Sequence, residues 1–320
     1  MSELLTSAMT AQQASQSLGV YFCAADGEDE ILPNYTVDLT DDHATAFLRR
    51  LLTTDVKELP TGGVIQSFVL NALGLVTDFV TVAHVQDKHY RIIFQSIDTL
   101  AWMHQVAKAF DVDLIEPKVH SAVIFGSKRQ ELFSVLPNRC AEVEHDGEKL
   151  LVIALPKRLI VQGAASAIDA LKSDKTLSLD AMAVNSLLIL ANEPHALDWM
   201  SGDVTPTAIG GAQYLNFNDP ARMFIGRALT EARYRAETPK KAVVLQSHDD
   251  QPEAWFDDPK TVTIAAPDGT PLYKTTRVGM LGNALIARAA LDQSFDSGKC
   301  LWIYADNDDN VAFRVDCLSN

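Results

Sequence analysis

Positive charge is in short supply in this sequence. Its 320 residues hold 27 Lys and Arg against 42 Asp and Glu, a formal net charge of −15. That balance argues against a broad basic face for nucleic acid or an anionic membrane, since such binding rests on neutralising phosphates. Cysteine is scarce and dispersed: Cys23, Cys140, Cys300 and Cys317 form no C-x-x-C pair. None of them joins a histidine at zinc or iron–sulfur spacing. Scattered thiols of this kind suit a reducing compartment. The eight histidines contain no H-x-H or H-x-x-x-H pair, so a metal centre is not expected. Long hydrophobic runs are missing as well. Leu150–Leu155 and Ser186–Ala191 fall far short of the roughly 20 residues that span a bilayer. The opening MSELLTSAMTAQQASQS lacks the basic-then-apolar order of a secretory signal. Gly62-Gly63 and Gly210-Gly211 stand outside any strand–glycine loop–helix context for nucleotides, and no nucleophile elbow occurs. A cytoplasmic monomer that binds neither membrane nor nucleic acid strongly is the expectation.

What is present is an ordinary globular composition, 47% hydrophobic and 22% charged. The length exceeds one small core and predicts two or three domains. After a polar helix candidate and an acidic loop at Gly27–Glu30, Tyr35–Leu39 alternates as a strand. Asp41 or Asp42 is placed to cap the helix that follows. Lys88–Gln95 is a further strand. Ser96 or Asp98 caps a helix carrying Leu100, Met103, Val106, Ala107 and Phe110. Val112–Glu116 and Val119–Phe125 read as strands parted by Pro117. A similar pass follows: a short helix from a Ser127 cap to Leu136, a hairpin Glu142–His145 and Leu150–Leu155 across Asp146-Gly147, a strand Lys157–Val161 and a helix Ala164–Leu171. Ala181–Ala191 is mixed in character. Asn192–Gly211, rich in Pro, Gly, Asp and Thr, is a long loop of the functional kind, and Ala221–Arg235 is a short mixed segment. From Pro239 the tail reads as all β, with strands Ala242–Gln246, Thr261–Ala265, Pro271–Thr275, Ala284–Ala290, Leu301–Tyr304 and Val311–Val315. Its turns fall at Asp268-Gly269 and Asp306–Asn310, and His248–Lys260 is an acidic excursion. Antiparallel hairpins interleaved with helices argue for an α+β fold.

One stretch, Phe47–Val82, organises the rest. Phe47, Leu48, Leu51 and Leu52 recur at helical spacing, and Thr53-Thr54-Asp55 ends that helix. Pro60, Gly62 and Gly63 then make a turn. Two apolar runs, Val64–Leu70 and Leu75–Val82, flank Asn71-Ala72-Leu73-Gly74 as a β-hairpin with a four-residue loop. The T-x-D-V run Thr53–Val56, followed a dozen residues later by the L-N-x-x-G turn Leu70–Gly74, resembles the folate-binding family of the glycine-cleavage T-protein (aminomethyltransferase) and its relative YgfZ. Further likenesses follow in order. Leu187–Pro194 resembles the family's R/N-x-x-x-E-A-G-x-P segment, keeping Pro194 but holding Leu190 and Asn192 at its glutamate and glycine. Ser201-Gly202 and Pro206 resemble an S-G-x-x-x-P stretch. Ala221–Ala228 stands where YgfZ-type proteins carry K-G-C-Y-x-G-Q-E, with Gly226 matched, Phe224 near, Met223 at the cysteine and Arg227 at the glutamine. Tyr234-Arg235-Ala236 stands at the F-R-G that follows.

The resemblance implies an α+β fold of two mixed antiparallel-sheet and helix domains and a C-terminal barrel-like β domain around a central channel. The domains would be 1–50 with 118–238, then 51–117, then 239–320. It implies a reduced folate, tetrahydrofolate or a derivative, as bound ligand. It also implies a role with iron–sulfur assembly proteins in cluster assembly or repair and in cluster-dependent tRNA modification. The site residues it points to are Tyr35, Asn71, Asp78, Phe224, Gly226, Arg227, Tyr234 and Arg235. Aromatic rings of this set, with Tyr214, would stack on a pterin, while Arg227, Arg233 or Arg235 would take a glutamate tail. The plainer readings are half-buried aromatic packing and arginines that offset acidic charge on an exposed helix. The T-protein uses a carboxylate on the second hairpin strand, because one-carbon transfer needs control of a proton at the folate nitrogen. Here that second acidic position is Phe79 and the first is Asp78. Neighbours on a strand face opposite ways unless a bulge re-aims one. Asp78 is therefore either a folate-contacting acid or a strand-end acid in solvent. With Leu190 at the downstream glutamate and Met223 unable to supply a thiolate, binding without catalysis is the leading expectation. The alternatives are a tetrahydrofolate-dependent aminomethyl or methyl transferase using Asp78, and a partner-binding module whose pocket has decayed.

Overall fold

The structure, a computed structural model, describes residues 20–25, 35–126, 129–171, 176–178, 181–199, 202–248, 261–281, 284–295, 301–305 and 312–318. The N-terminal helix candidate, the Gly27–Glu30 loop, the Ser127 cap, the acidic stretch after His248 and the Asp306–Asn310 turn lie outside these residues. The chain forms two compact units, Ser17–Ser178 with Gln213–Arg233, and Leu179–Ala212 with Tyr234–Asn320.

The first unit runs β1 (Val20–Ala25), β2 (Tyr35–Thr40), α1 (Ala44–Leu51), β3 (Val64–Leu70), β4 (Val76–Gln86), β5 (His89–Phe94), α2 (Ile97–Ala107), β6 (His120–Phe125), α3 (Arg129–Phe133), β7 (Arg139–His145), β8 (Glu148–Ala154), β9 (Leu159–Gly163), α4 (Ala165–Leu171) and β10 (Thr176–Ser178). One sheet has the order β2-β5-β4-β3 and is antiparallel throughout. The other has the order β10-β1-β6-β9-β8-β7, with only the β1–β10 pair parallel. Each sheet buries one face under helices whose apolar residues recur at helical spacing. α1 sets Ala44, Phe47, Leu48 and Leu51 into a core with Val37, Val80, Val82, Ile92 and Phe94, which α2 joins through Leu100, Met103 and Ala107. α4 packs Ala167, Ile168 and Leu171 onto Ile124, Val152 and Val161 of the six-stranded sheet.

A polar link ties these two sheets together. Arg91 of β5 donates from Nε and Nη2 to the two carboxylate oxygens of Asp38 on β2, both at 2.7 Å. Its Nη1 donates to Gln162 Oε1 on β9 at 3.3 Å, and Gln162 Nε2 donates to Thr36 Oγ1 and Ser121 Oγ. Asp38 and Gln162 are both buried, so each needs these partners.

The second unit holds α5 (Ala181–Ala191) and seven strands: β11 (Lys240–Ser247), β12 (Val262–Ala265), β13 (Pro271–Thr275), β14 (Val278–Leu281), β15 (Ala284–Asp292), β16 (Leu301–Ala305) and β17 (Ala312–Cys317). They form a nearly closed, barrel-like antiparallel sheet in the order β13-β12-β16-β17-β11-β15-β14 around Leu245, Ile264, Ala287, Ala289, Leu301 and Ile303. α5 lies on β14: Asn185 Nδ2 donates to Val278 O, and the Met280 amide donates to Ser186 Oγ. An added Cβ on Gly279 would sit 2.7 Å from Ser186 Oγ, so the close approach needs glycine there.

The expected α+β class holds, with three corrections. Val112–Glu116 is not a strand but a single bridge from Ile115 to Asp38. Ala181–Ala191 is a regular helix. Apart from Asn185 and Ser186 its residues are all apolar, which removes the stripe that periodicity detects. β14 was unexpected, because Val278-Gly279-Met280-Leu281 lacks a β-branched run and is held by pairing with β15 instead. No helix among the described residues is long and apolar enough to cross a membrane.

Replacing Arg91 by Met leaves the Asp38 carboxylate buried without its bidentate partner. The expected loss is about 3–5 kcal/mol of unfolding free energy, read by urea denaturation. Asp38→Asn added to Arg91→Met recovers part of it.

Candidate functional site

The family-like residues of the first unit gather where the β3–β4 hairpin tip, the end of α1 and the loop Gln213–Gly226 meet the start of α6 (Arg227–Ala236). Asn71 shapes the tip. Its Oδ1 accepts from the Leu73 and Leu75 amides at 2.9 and 3.1 Å, and its carbonyl accepts from the Gly74 amide. An Asn side chain makes this local turn because it mimics a backbone acceptor. Gly226, at φ +79°, presses on the same tip, and a Cβ there would overlap the Asn71 carbonyl oxygen. Arg233 Nη1 donates to Leu73 O across the same contact. Asn71 and Gly226 are thus brought together, by packing of backbone on backbone.

Arg222 is the centre of the loop. Its guanidinium, 4% exposed, donates to five backbone carbonyls: Arg49, Leu52, Thr53, Thr54 and Asn216. Burial pushes it down to about 10, still cationic at neutral pH. The T-x-D-V run lies under it. Thr53 Oγ1 donates to Tyr214 O at 2.8 Å and accepts from the Phe68 amide at 3.1 Å. Ser67 Oγ accepts from the Thr54 amide. Asp55 is held by Arg49 through Nε at 3.0 Å and Nη2 at 3.3 Å, and Arg49 also reaches Asp219 at 2.8 Å. Burial alone would raise Asp55. Arg49, the Lys57 amide and Arg222 outweigh it and hold the carboxyl below its ordinary value. Above this frame the half-buried Tyr214 ring stands edge-on to Phe79 at 4.7 Å and to Phe68 at 5.7 Å, with Phe68 and Phe79 4.9 Å apart. Phe68 and Phe79 are buried in this cluster, and Tyr214 is its half-buried member.

Asp78 overturns the expectation of a strand-end acid in solvent. A bulge between Val69 and Leu70 leaves Thr77 out of the strand register, its hydroxyl donating to Val69 O, and Asp78 is 0% exposed. Its carboxylate accepts from the Phe79 amide at 2.7 Å, the Gln95 amide at 3.1 Å and the Ser96 amide at 2.9 Å, with Thr99 as a fourth hydrogen-bond donor. The start of α2 is therefore capped from outside by Asp78 and not by Ser96 or Asp98, as the sequence suggests. Burial pushes the carboxyl up to about 7, against the pull of these donors. At α1, His43 is the N-cap without a side-chain bond, and Asp41 instead accepts the His43 amide.

Arg227 also departs from the expected exposed helix face. It is buried, donating to the carbonyls of Phe217, Asp219 and Arg222 and to Glu231 at 3.1 Å. Phe224 is buried against Phe217 and under the Arg222 guanidinium. Tyr35 stacks on Phe94, its cross-strand neighbour. Tyr234 and Arg235 lie exposed on the last turns of α6. Sequence reading did not single out Arg222, Ser67, Arg49 or Asp219. A loop arginine has no periodicity to mark it, and its five acceptors come from segments about 6 and about 170 residues away. Cys140 is buried, and burial pushes its thiol up to about 11, so it is an inert thiol. Among the described residues no group of three His, Cys, Asp or Glu stands together to hold a metal ion.

No protein-family model matches the chain. Among solved structures it is similar to the glycine cleavage system aminomethyltransferase T from Bartonella henselae, with a TM-score of 0.76 at 14% identity, covering 97% of this chain and 88% of that one. The chain has the fold of that aminomethyltransferase T. The heterotetrameric sarcosine oxidase from Corynebacterium sp. U-96 matches at a TM-score of 0.36 and 10% identity, over 54% of this chain and 95% of that one.

Two outcomes are expected. Gly226→Ala costs about 1–3 kcal/mol, read by urea denaturation, because positive φ and the Asn71 carbonyl both oppose a Cβ. For Asp78, the folded state holds its proton above the ordinary value, so its contribution is complete below about pH 4 and lost as pH rises through 7. Urea midpoints measured from pH 4 to 8 should therefore fall more steeply for the native chain than for Asp78→Asn.

Proposed function

We propose that this protein binds a reduced folate and does not turn it over. The observation that carries the reading is the state of the hairpin strand. The second acidic position is Phe79, which is buried in an aromatic cluster with Phe68 and the half-buried Tyr214. The remaining acid, Asp78, is fully buried and engaged by the start of α2. Proton control at a folate nitrogen needs a carboxyl that touches the ligand, whereas pterin binding needs only a ring face and hydrogen-bonding groups. The aminomethyltransferase T fold supports a folate-type ligand. Tyr214 is the proposed pterin-facing ring, and Arg227 is engaged by the carbonyls of its own loop. The finer role is assistance in iron–sulfur cluster assembly or repair and in cluster-dependent tRNA modification, as the likeness to YgfZ-type proteins implies.

A partner-binding module is the second reading. Leu73, Met223 and Leu229 stand 57%, 54% and 43% exposed around the hairpin tip, more apolar surface than the fold itself requires there.

Calorimetric titration with tetrahydrofolate and 5-formyltetrahydrofolate separates these readings. Micromolar binding, worth about 8 kcal/mol, is expected. It should weaken at least tenfold in Tyr214→Ala and stay unchanged in Leu73→Ser. Folded protein that takes up neither folate would refute the first reading and leave the second.

A further inference from the structure

The second unit contains a buried ionic cluster that the folate reading does not use. Asp198 ends the 3-10 turn Ala196–Asp198, and its Oδ2 accepts from the His195 amide at 2.9 Å. The same oxygen accepts from Arg288 Nη1 on β15 at 3.1 Å and from Arg277 Nη1 at 3.4 Å. Arg288 Nη2 donates to Ile209 O at 3.1 Å. Both guanidinium groups are 1% exposed, and the Asp198 side chain is 2% exposed. The Arg277 backbone is fixed: its amide donates to Thr275 Oγ1, and its carbonyl accepts from the Arg288 amide. Two buried cations thus share one carboxylate oxygen.

Three donors of the pair, Arg277 Nε and Nη2 and Arg288 Nε, have no hydrogen-bond partner among the described residues. The two on Arg277 are the side-on fork of the guanidinium, the edge that fits two oxygens of one planar oxyanion. Arg91 shows that edge in use, with Nε and Nη2 each 2.7 Å from an oxygen of Asp38. Arg277 presents the same fork in a drier setting, its side chain 1% exposed against 12% for Arg91, where an unmatched N–H of a charged group is costly. Burial pushes Arg277 down to about 10, so it remains a cation at neutral pH. Glu193, 7% exposed, is the other carboxylate whose field reaches it.

We infer that the side-on edge of Arg277, backed by Arg288, is a receptor for one small oxyanion, the carboxylate or phosphate group of a ligand enclosed in the second unit. The two oxygens of that group accept from Nε and Nη2, while Asp198 keeps both guanidinium groups oriented. Such a site is independent of folate binding in the first unit, and small anions test it without folate.

The full chain, dialysed into Tris-chloride buffer, is titrated with sodium acetate, with inorganic phosphate and with sodium chloride at matched ionic strength. The readouts are the thermal midpoint and the Arg277 Nε–H resonance, each taken after long equilibration because an enclosed site exchanges slowly. Acetate or phosphate should raise the midpoint with the logarithm of its concentration and shift the resonance, whereas chloride should do neither. The stronger of the two names the ligand group. Arg277→Met keeps the volume and removes the fork. It should lose the response and be no less stable than the native chain in the starting buffer. Arg277→Lys, which keeps the charge, should lose the preference for acetate or phosphate over chloride. Equal responses in native chain and variants, or no response to either anion, overturn the proposal. So does a resonance that moves with Glu193→Gln and not with anions, since Glu193 would then be the group at the fork.

Discussion

The first unit depends on one buried cation. Arg222 carries no secondary structure of its own, yet it gathers the carbonyls of Leu52, Thr53 and Thr54, where α1 has ended and no strand has begun, and adds Asn216 from its own loop. Carbonyls at the end of a helix lack intrahelical donors and must find them elsewhere. A guanidinium has five N–H groups in a fixed plane and can serve all five carbonyls, where an ammonium has only three donors. The Thr53 hydroxyl then completes the frame by joining Tyr214 O to the Phe68 amide, and the aromatic cluster rests on that frame. Ring positions are thus set by hydrogen bonds made one layer below.

This layering explains why the family-like motifs keep their spacing while the chemistry attached to them changes. Asn71, Gly74 and Gly226 are needed for a turn and for backbone-to-backbone contact, and a ligand is not required to account for any of them. Asp78 is bound to the start of α2 in the same way. A carboxylate that caps a helix from a neighbouring strand is a structural part, whatever a matching position does in another protein of this fold.

Much of the architecture was legible in the sequence, because alternation and helical spacing register burial on one face. The hairpin read as Val64–Leu70 and Leu75–Val82, whose second strand runs Val76–Gln86, the helix at Phe47 and most strands of the β tail follow from that pattern. α5 and β14 escaped it, the first because all but Asn185 and Ser186 are apolar and the second for being held by pairing rather than by composition. The site was legible only where local turn chemistry wrote it, at Asn71 and Gly74. Whether an arginine or an aspartate is buried depends on which distant segments surround it, and no window of sequence contains that. Arg222, Arg227 and Asp78 were therefore hidden in different ways: the first unnoticed, the second expected on a surface, the third expected in solvent or on a ligand.

The first unit is also discontinuous in the chain. Its loop and the start of α6, Gln213–Arg233, arrive only after the segment Leu179–Ala212 has left for the second unit. On a ribosome that makes the order of events vectorial. The two sheets of residues 20–178 can collapse as soon as they emerge, but the carbonyls of Leu52, Thr53 and Thr54 must wait for an arginine about 170 residues later. Until then the aromatic faces of Phe68 and Phe79 lack their Tyr214 cover, so the nascent chain passes through a stage in which two rings that the finished fold buries are still open.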